Sequence, residues 1–424
     1  MAKFKIPRIA KPFAIDVMLP GSKSIALRQL AMSALTDKPT TLFGIPHCDD
    51  TEAMLDSLTR LGMTISRDKD QTGLQGPMNL TDDVTLDARM SGASTRLLIG
   101  LAALRSGQTC IDGHESLRAR TNTPLVDALE RHGCQVNPAP NGGLPLRIKG
   151  PIASTSTISI DGSLSSQYIT ALLVIMPLLK DANRIEITGD LVSKPYIDIT
   201  LNEMSKRGVN ANWCDANTLE VTPGDYGGGE FRVEGDATAA TYFAGLATLH
   251  QSSVHLLNIG AGTHQGDYKF MKLMEDLGAH VSRTSETTKI TGPKDLAELG
   301  SIDMTEMPDA ALTLIAMLPM LPGIKSINGL SSLHHKECDR LECPAQEFKE
   351  MGVGVDTTED SITIGSVLTG DISAHELTTY HDHRIAMAFS LLGSCTDSLT
   401  VDDKRVVDKT YPEYWSDYQR AVAT

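Results

Sequence analysis

No C-x-x-C pair occurs among the seven cysteines of this 424-residue chain. Cys48, Cys110, Cys134, Cys214, Cys338, Cys343 and Cys395 are odd in number and widely scattered, which argues against a disulfide framework and makes reduced thiols the expectation. Cys338 and Cys343 lie near His334 and His335, but their spacing fits no standard zinc site, so they read as buried or incidental thiols. Positive charge is also scarce. With 38 Lys and Arg against 53 Asp and Glu, the net charge is -15. That balance excludes a general surface for nucleic acid or anionic membrane, because such binding needs clustered cations. Any anionic ligand must therefore meet a local cationic pocket. Long apolar runs are missing too: stretches such as Ala171 to Leu179 are too short for a bilayer, and the N-terminus shows no apolar signal region. The expectation is a cytoplasmic protein with neither nucleic acid nor membrane as partner.

What remains is ordinary globular composition, 41% hydrophobic and 21% charged, at a length suited to two or three domains. The chain repeats itself. Amphipathic segments ending in glycine recur at Thr51 to Gly62, Leu125 to Gly133, Ile199 to Gly208, Phe270 to Gly278 and Ala345 to Gly352. The glycines are spaced by 71, 75, 70 and 74 residues, and each suits a helix end that needs positive φ. A sixth copy would finish in Tyr411 to Ala423. Interleaved with these, apolar helices open near Ser24, Ser91, Ser165, Asp236, Asp309 and Asp382. Short β-like runs such as Val84 to Leu86, Ile158 to Ile160 and Ser253 to Leu257 lie between. Six mixed α/β units of about 70 residues follow, too long for a solenoid and better placed in compact domains. The glycine-rich stretch Gly224 to Gly229 puts a domain boundary around Glu234-Gly235.

The helix openings carry more polar chemistry than capping requires. Leu19-Pro20-Gly21-Ser22-Lys23-Ser24 leads into a helix with Arg28 one turn beyond Ser24, an anion site in outline, because helix amides and cations both favour negative charge. The later openings offer Ser91-Gly92-Ala93-Ser94-Thr95-Arg96, Ser165-Ser166-Gln167, Asp236-Ala237-Thr238, Pro308-Asp309-Ala310 and Asp382-His383-Arg384. Between them fall Arg118-Ala119-Arg120, Ser193-Lys194-Pro195-Tyr196, Lys336-Glu337-Cys338-Asp339-Arg340 and Asp408-Lys409. Taken singly, each of these is more often a solvated charge group. If helical, Lys336 and Arg340 would share one face.

Leu19 to Arg28, Ser163 to Leu172, Leu191 to Leu201, Val233 to Phe243, Lys336 to Leu341 and Asp382 to Met387 together resemble the 5-enolpyruvylshikimate-3-phosphate synthase family of enolpyruvyl transferases, in order along essentially the whole chain. The resemblance implies an α/β fold of two similar domains, each of three βαβαββ units, with the active site in the cleft between them. It implies one domain of about residues 20 to 235 and another combining 1 to 19 with 236 to 424. The implied reaction moves the enolpyruvyl group of phosphoenolpyruvate to the 5-hydroxyl of shikimate 3-phosphate, with release of phosphate. No redox cofactor or metal is demanded by that addition and elimination, and a monomer is expected.

Residue by residue, the resemblance places the shikimate phosphate on Ser165, Ser166 and Ser193, with Gln167 and Tyr196 close to the ring. Lys23, Ser24, Arg28, Asp309 and Lys336 match further residues around shikimate 3-phosphate. Lys23, Gly92, Arg120, Gln167, Arg340, Arg384 and Lys409 match the phosphoenolpyruvate pocket, where planar guanidinium forks suit carboxylate and phosphate. Asp309 is the expected base for the 5-hydroxyl and Glu337 the expected group for proton traffic at C3, assisted by Lys23 or Lys409. Domain closure is expected to bring Lys23 toward the far residues on binding.

Ala93 replaces a common Thr, and Ser332 and His335 also depart from the family pattern. Since the family is the target of glyphosate, Ala93 carries an expectation of altered sensitivity to it. Two rivals stand beside this reading. The related transferase acting on UDP-N-acetylglucosamine commonly has a cysteine in the loop before the arginine matching Arg120, whereas this loop, Gly113 to Arg120, has none. A non-catalytic anion-binding scaffold would be expected to lack Asp309, Glu337 or Lys23, and all three are present.

Overall fold

The computed structural model describes residues 2–153, 156–181, 183–323, 325–364 and 374–423. Two compact units divide the chain: Gly21–Glu234, and Met1–Pro20 together with Gly235–Thr424.

The repeat is plainest at the end of the first unit. Strand Thr157–Asp161 pairs in parallel with Arg184–Thr188, and helix Ser166–Ile175 lies between them in sequence. Arg184–Thr188 then pairs antiparallel with Thr218–Val221, which pairs with Ala211–Trp213. Helix Lys194–Lys206 precedes that hairpin, so the unit is βαβαββ. Alternating Ile158, Ile160, Ile185 and Ile187 are buried, as one apolar sheet face requires. Among the described residues five four-stranded sheets and one three-stranded sheet occur. The α/β expectation of repeated βαβαββ units is met.

Three sheets are completed from far along the chain. In the first unit Gly229–Arg232 pairs in parallel with Thr40–Phe43. In the second, Ala14–Val17 pairs with Ser253–Leu256, and Phe4–Lys5 pairs with Leu399–Val401. None of these crossings was legible in the repeat.

The glycine series holds. Gly62, Gly133, Gly208, Gly278 and Gly352 all have φ between 79° and 100°. Each follows a helix whose far face is solvated, and only a residue without Cβ takes that turn without cost. The interleaved series forms the interior: Lys23–Ser33, Gly92–Ala103 and Ser166–Ile175 in one unit; Ala237–Leu249, Ala311–Met317 and His383–Ser394 in the other. Those helices are buried nearly all round, which explains their uniform apolarity. Close approach is enforced by small residues: a Cβ on Gly100 would lie 2.6 Å from the Ala171 carbonyl oxygen. No helix among the described residues is long and apolar enough to cross a membrane.

Candidate functional site

Burial of the central helices leaves their N-terminal turns to carry the polar residues. Ser91, Ser165, Asp236 and Asp382 cap theirs, each side chain accepting a backbone N–H of the first turn. At two openings the pattern breaks. Ser22 makes no side-chain cap, and Asp309 stands one residue ahead of the cap position of Ala311–Met317. Asp309 is thereby released for other partners.

In the Gly21–Glu234 unit, Lys23 Nζ lies 2.7 Å from Asp50 Oδ2, and the Asp50 side chain is only 3% exposed. Asp50 was missed by the sequence reading, because an acidic residue in a first turn looks like ordinary dipole complementarity. Arg28 is 5% exposed. Its guanidinium donates to the Ser24 carbonyl at 2.7 Å, Thr200 Oγ1 at 2.8 Å, the Tyr196 carbonyl at 2.8 Å and Thr170 Oγ1 at 3.3 Å. Burial brings its pKa down to about 10. Arg28 thus ties the helix opening at Ser24 to Tyr196.

The serines sit on adjoining turns. Ser165 accepts from Gln167 N at 3.2 Å, Ser166 opens the helix, and Val192 N donates to the Gly162 carbonyl at 3.3 Å, joining this turn to the one that carries Ser193. Ser193 has φ 55°, a left-handed conformation uncommon for a residue with a Cβ, directly before the helix bearing Tyr196. Gly92 answers to a different constraint: a Cβ there would fall 2.8 Å from Arg120 Nη1 and 2.7 Å from Arg96 Nη1. A side chain would displace both guanidinium groups. Cys110 lies in strand Thr109–Asp112, outside the Gly113 to Arg120 loop.

The other unit gathers Asp309, Lys336, Glu337, Arg340, Arg384 and Lys409 into one ion network. Asp309 Oδ1 meets Arg340 Nη1 at 3.0 Å and Lys336 Nζ at 3.3 Å, while Oδ2 meets Arg384 Nη2 at 3.3 Å. Glu337 is held by Arg340 Nη2 at 2.7 Å and Lys409 Nζ at 3.0 Å. Arg340 Nε reaches Asp382 Oδ2 at 2.7 Å, both side chains being almost wholly buried. Although burial opposes its charge, Asp382, Glu337 and Asp309 hold the Arg340 pKa above the ordinary arginine value. Lys336 and Arg340 lie outside any α-helix, on the turn that follows Ser331–His335 and precedes Glu342–Glu350. They share Asp309 rather than a helix face. The His335 side chain lies outside the described residues; Ser332 belongs to the short helix before the turn.

Behind this network lies Asp267, also missed from sequence because nothing local marks it. It accepts from Thr238 Oγ1. Burial, then the Asp309 charge, raises its pKa from the usual carboxylate range to about 7. A carboxyl with a raised folded pKa stabilises the fold fully below its unfolded value, and this contribution drains away as pH rises from about 4 through about 7. Asp267→Asn is therefore expected to flatten the fall in urea-unfolding free energy over that window and to gain on the order of a few kcal/mol over the native chain at pH 8. Identical pH slopes for the two chains would refute the assignment.

The segment leading to Arg384 is strained and braced. Tyr380 and His381 have φ 52° and 57°. Glu347, buried, accepts from Tyr380 Oη at 2.7 Å and Thr378 N at 3.3 Å, and lies 2.8 Å from His375 Nε2. Glu347 and His375 also form, with Glu350, a grouping of metal-ligand type. The bonds already made by Glu347 give it a bracing task.

One side of this chemistry is cationic surplus: four cations surround Asp309, Glu337 and Asp382, an arrangement suited to a polyanionic ligand and to proton exchange by carboxylates. Comparison with known proteins agrees in kind. The family described as EPSP synthase (3-phosphoshikimate 1-carboxyvinyltransferase) matches residues 7–418. A 3-phosphoshikimate 1-carboxyvinyltransferase from Shewanella pealeana is 33% identical over 410 residues, covering 95% of each chain, and one from Photobacterium damsela subsp. piscicida is 35% identical over 409, again covering 95% of each. In fold, the chain is similar to an EPSP synthase from Acinetobacter baumannii, with TM-score 0.79 at 23% identity over 99% of this chain and 98% of that one. The enolpyruvyl transferase NikO from Streptomyces tendae gives 0.78 at 12% identity over 98% and 96%. By full-length match and by identity to these relatives, the chain belongs to the EPSP synthase family.

Proposed function

We propose that this protein transfers the enolpyruvyl group of phosphoenolpyruvate to the 5-hydroxyl of shikimate 3-phosphate and releases phosphate. The observation that carries the reading is the Asp309 and Glu337 pair, two carboxylates held among Lys336, Arg340, Arg384 and Lys409 in a chain of this family.

Ser165, Ser166 and Ser193 take the shikimate phosphate, with the amides of two helix openings behind them. Gln167 and Tyr196 flank the ring; Lys23, Ser24 and Lys336 complete its polar surroundings, and Arg28 fixes Ser24 and Tyr196 in place. Arg120, Arg340, Arg384, Lys409 and Lys23 receive phosphoenolpyruvate, and Gly92 leaves room for Arg120. Asp309 accepts the 5-hydroxyl proton as the oxygen attacks C2, and C3 gains a proton from Glu337 or Lys409. The tetrahedral product then loses phosphate while C3 returns a proton, so proton flow at C3 reverses and atoms balance. Carboxylates crowded by cations are weak bases. Anionic substrates draw on the same cations, which restores basicity at Asp309 when both substrates are present.

Phosphate release from phosphoenolpyruvate, measured with shikimate 3-phosphate and separately with UDP-N-acetylglucosamine, tests the reading. Turnover is expected with the first acceptor. Turnover with the sugar nucleotide alone would overturn it.

A further inference from the structure

The helix that follows the Lys336 to Arg340 turn ends on a pair of carboxylates. Glu347 and Glu350 stand three residues apart in Glu342–Glu350, so they lie on one face of its last turn. His375 opens strand His375–Leu377, and its Nε2 is 2.8 Å from Glu347 Oε2. Ligand atoms of all three side chains fall within 4.8 Å of one another, and among the described residues no other three His, Cys, Asp or Glu side chains form such a grouping. We propose that Glu347, Glu350 and His375 bind one divalent transition-metal ion of the zinc class, which staples the helix to the strand.

The donor set selects the ion. One imidazole nitrogen with two carboxylates suits zinc, whose three-ligand sites keep a fourth position for water, whereas magnesium and calcium take oxygen ligands and more of them. The spacing is close to what zinc needs. Bonds of about 2.0 to 2.2 Å at tetrahedral angles put ligand atoms about 3.3 to 3.5 Å apart. The contact between His375 and Glu347 therefore opens by roughly half an ångström, and the exposed Glu350 turns in to meet the ion. Zinc takes the Nε2 lone pair, with the ring proton on Nδ1.

Both carboxylates are already aimed. Glu347, its side chain 1% exposed, accepts from Tyr380 Oη at 2.7 Å and Thr378 N at 3.3 Å, and Glu350 Oε1 accepts from Gln346 Nε2 at 2.8 Å. Outer hydrogen bonds of this kind fix the orientation of metal ligands. Glu350 is also the last residue of its helix, where the negative end of the dipole attracts a cation independently of the side chains. Cys338 and Cys343, whose spacing in the sequence fitted no zinc site, do not belong to the grouping. With the ion on Glu347 Oε2, Oε1 keeps Tyr380, so the staple also steadies the left-handed pair Tyr380 and His381 ahead of Arg384.

None of the residues assigned to substrate takes part, so the proposal stands or falls apart from the transferase reading. The full chain, kept reduced, is stripped with a chelator, freed of it and titrated with zinc chloride by calorimetry, beside Glu350→Gln and His375→Ala. The native chain is expected to take up one zinc at this site, with Kd raised about tenfold or more in each variant. It should also melt a few degrees higher when zinc is present at about 100 times Kd, a rise that the variants lose and that magnesium chloride does not produce. Because Glu350 is exposed, Glu350→Gln keeps the fold, which an unchanged Tm without metal checks, and it decides the matter alone if His375→Ala does not fold. Absence of zinc uptake by the native chain overturns the proposal, as does equal zinc affinity and melting shift in Glu350→Gln, or an equal shift with magnesium.

Discussion

Arg340→Ala is expected to lose about 3 to 5 kcal/mol of folding stability, together with nearly all turnover. One guanidinium serves Asp309, Glu337 and Asp382 at 3.0, 2.7 and 2.7 Å, and it is almost wholly buried. Removing it leaves Asp309 with Lys336 and Arg384 and Glu337 with Lys409, but takes the guanidinium from Asp382, which is fully buried and cannot recover its solvation. Asp382 also caps the helix that presents Arg384, through Arg384 N at 2.9 Å, so the damage spreads to a second cation. Arg340→Lys should be only a partial rescue, since a single ammonium has no planar fork to span three partners. Urea unfolding of the three chains measures this. A loss below about 1 kcal/mol in Arg340→Ala, the ordinary worth of an exposed pair, would mean the network is not holding the unit together.

Asp309→Ala should behave differently. Here the partners left behind are Lys336, Arg340 and Arg384, and Arg340 retains Glu337 and Asp382. The fold should survive, and shikimate 3-phosphate should still bind measurably by calorimetry. Turnover should fall by about 10² to 10⁴, the usual worth of a positioned general base. Near-normal turnover would remove Asp309 from the proton path. The two substitutions thus separate a residue that organises the network from one proposed to act on the substrate.

These residues differ in how far the sequence exposed them. Gly62 and its four counterparts were legible because a positive φ leaves a compositional mark that recurs at each repeat. The openings at Ser91, Ser165 and Asp382 were legible for the same reason: a cap needs an oxygen in a fixed place. Asp309 looked like one more cap, and only the structure showed its carboxylate turned to cations. Asp50, Asp267 and Glu347 gave no signal, since their partners Lys23, Thr238 and Tyr380 lie 27, 29 and 33 residues away. The strands Phe4–Lys5 and Gly229–Arg232 are two and four residues long, too short to show a period that would place them in distant sheets.

Those borrowed strands set an order for synthesis. Gly21–Glu234 is continuous and holds every strand of its own sheets, so it is complete while nearly half the chain is still unmade. Phe4 has no such opportunity, because its partner Val401 is translated 397 residues later. At 5–20 residues per second that delay is roughly 20 to 80 s on the ribosome. Through that interval the first strand emerges, waits with its edge unpaired, and is claimed only when the final repeat arrives.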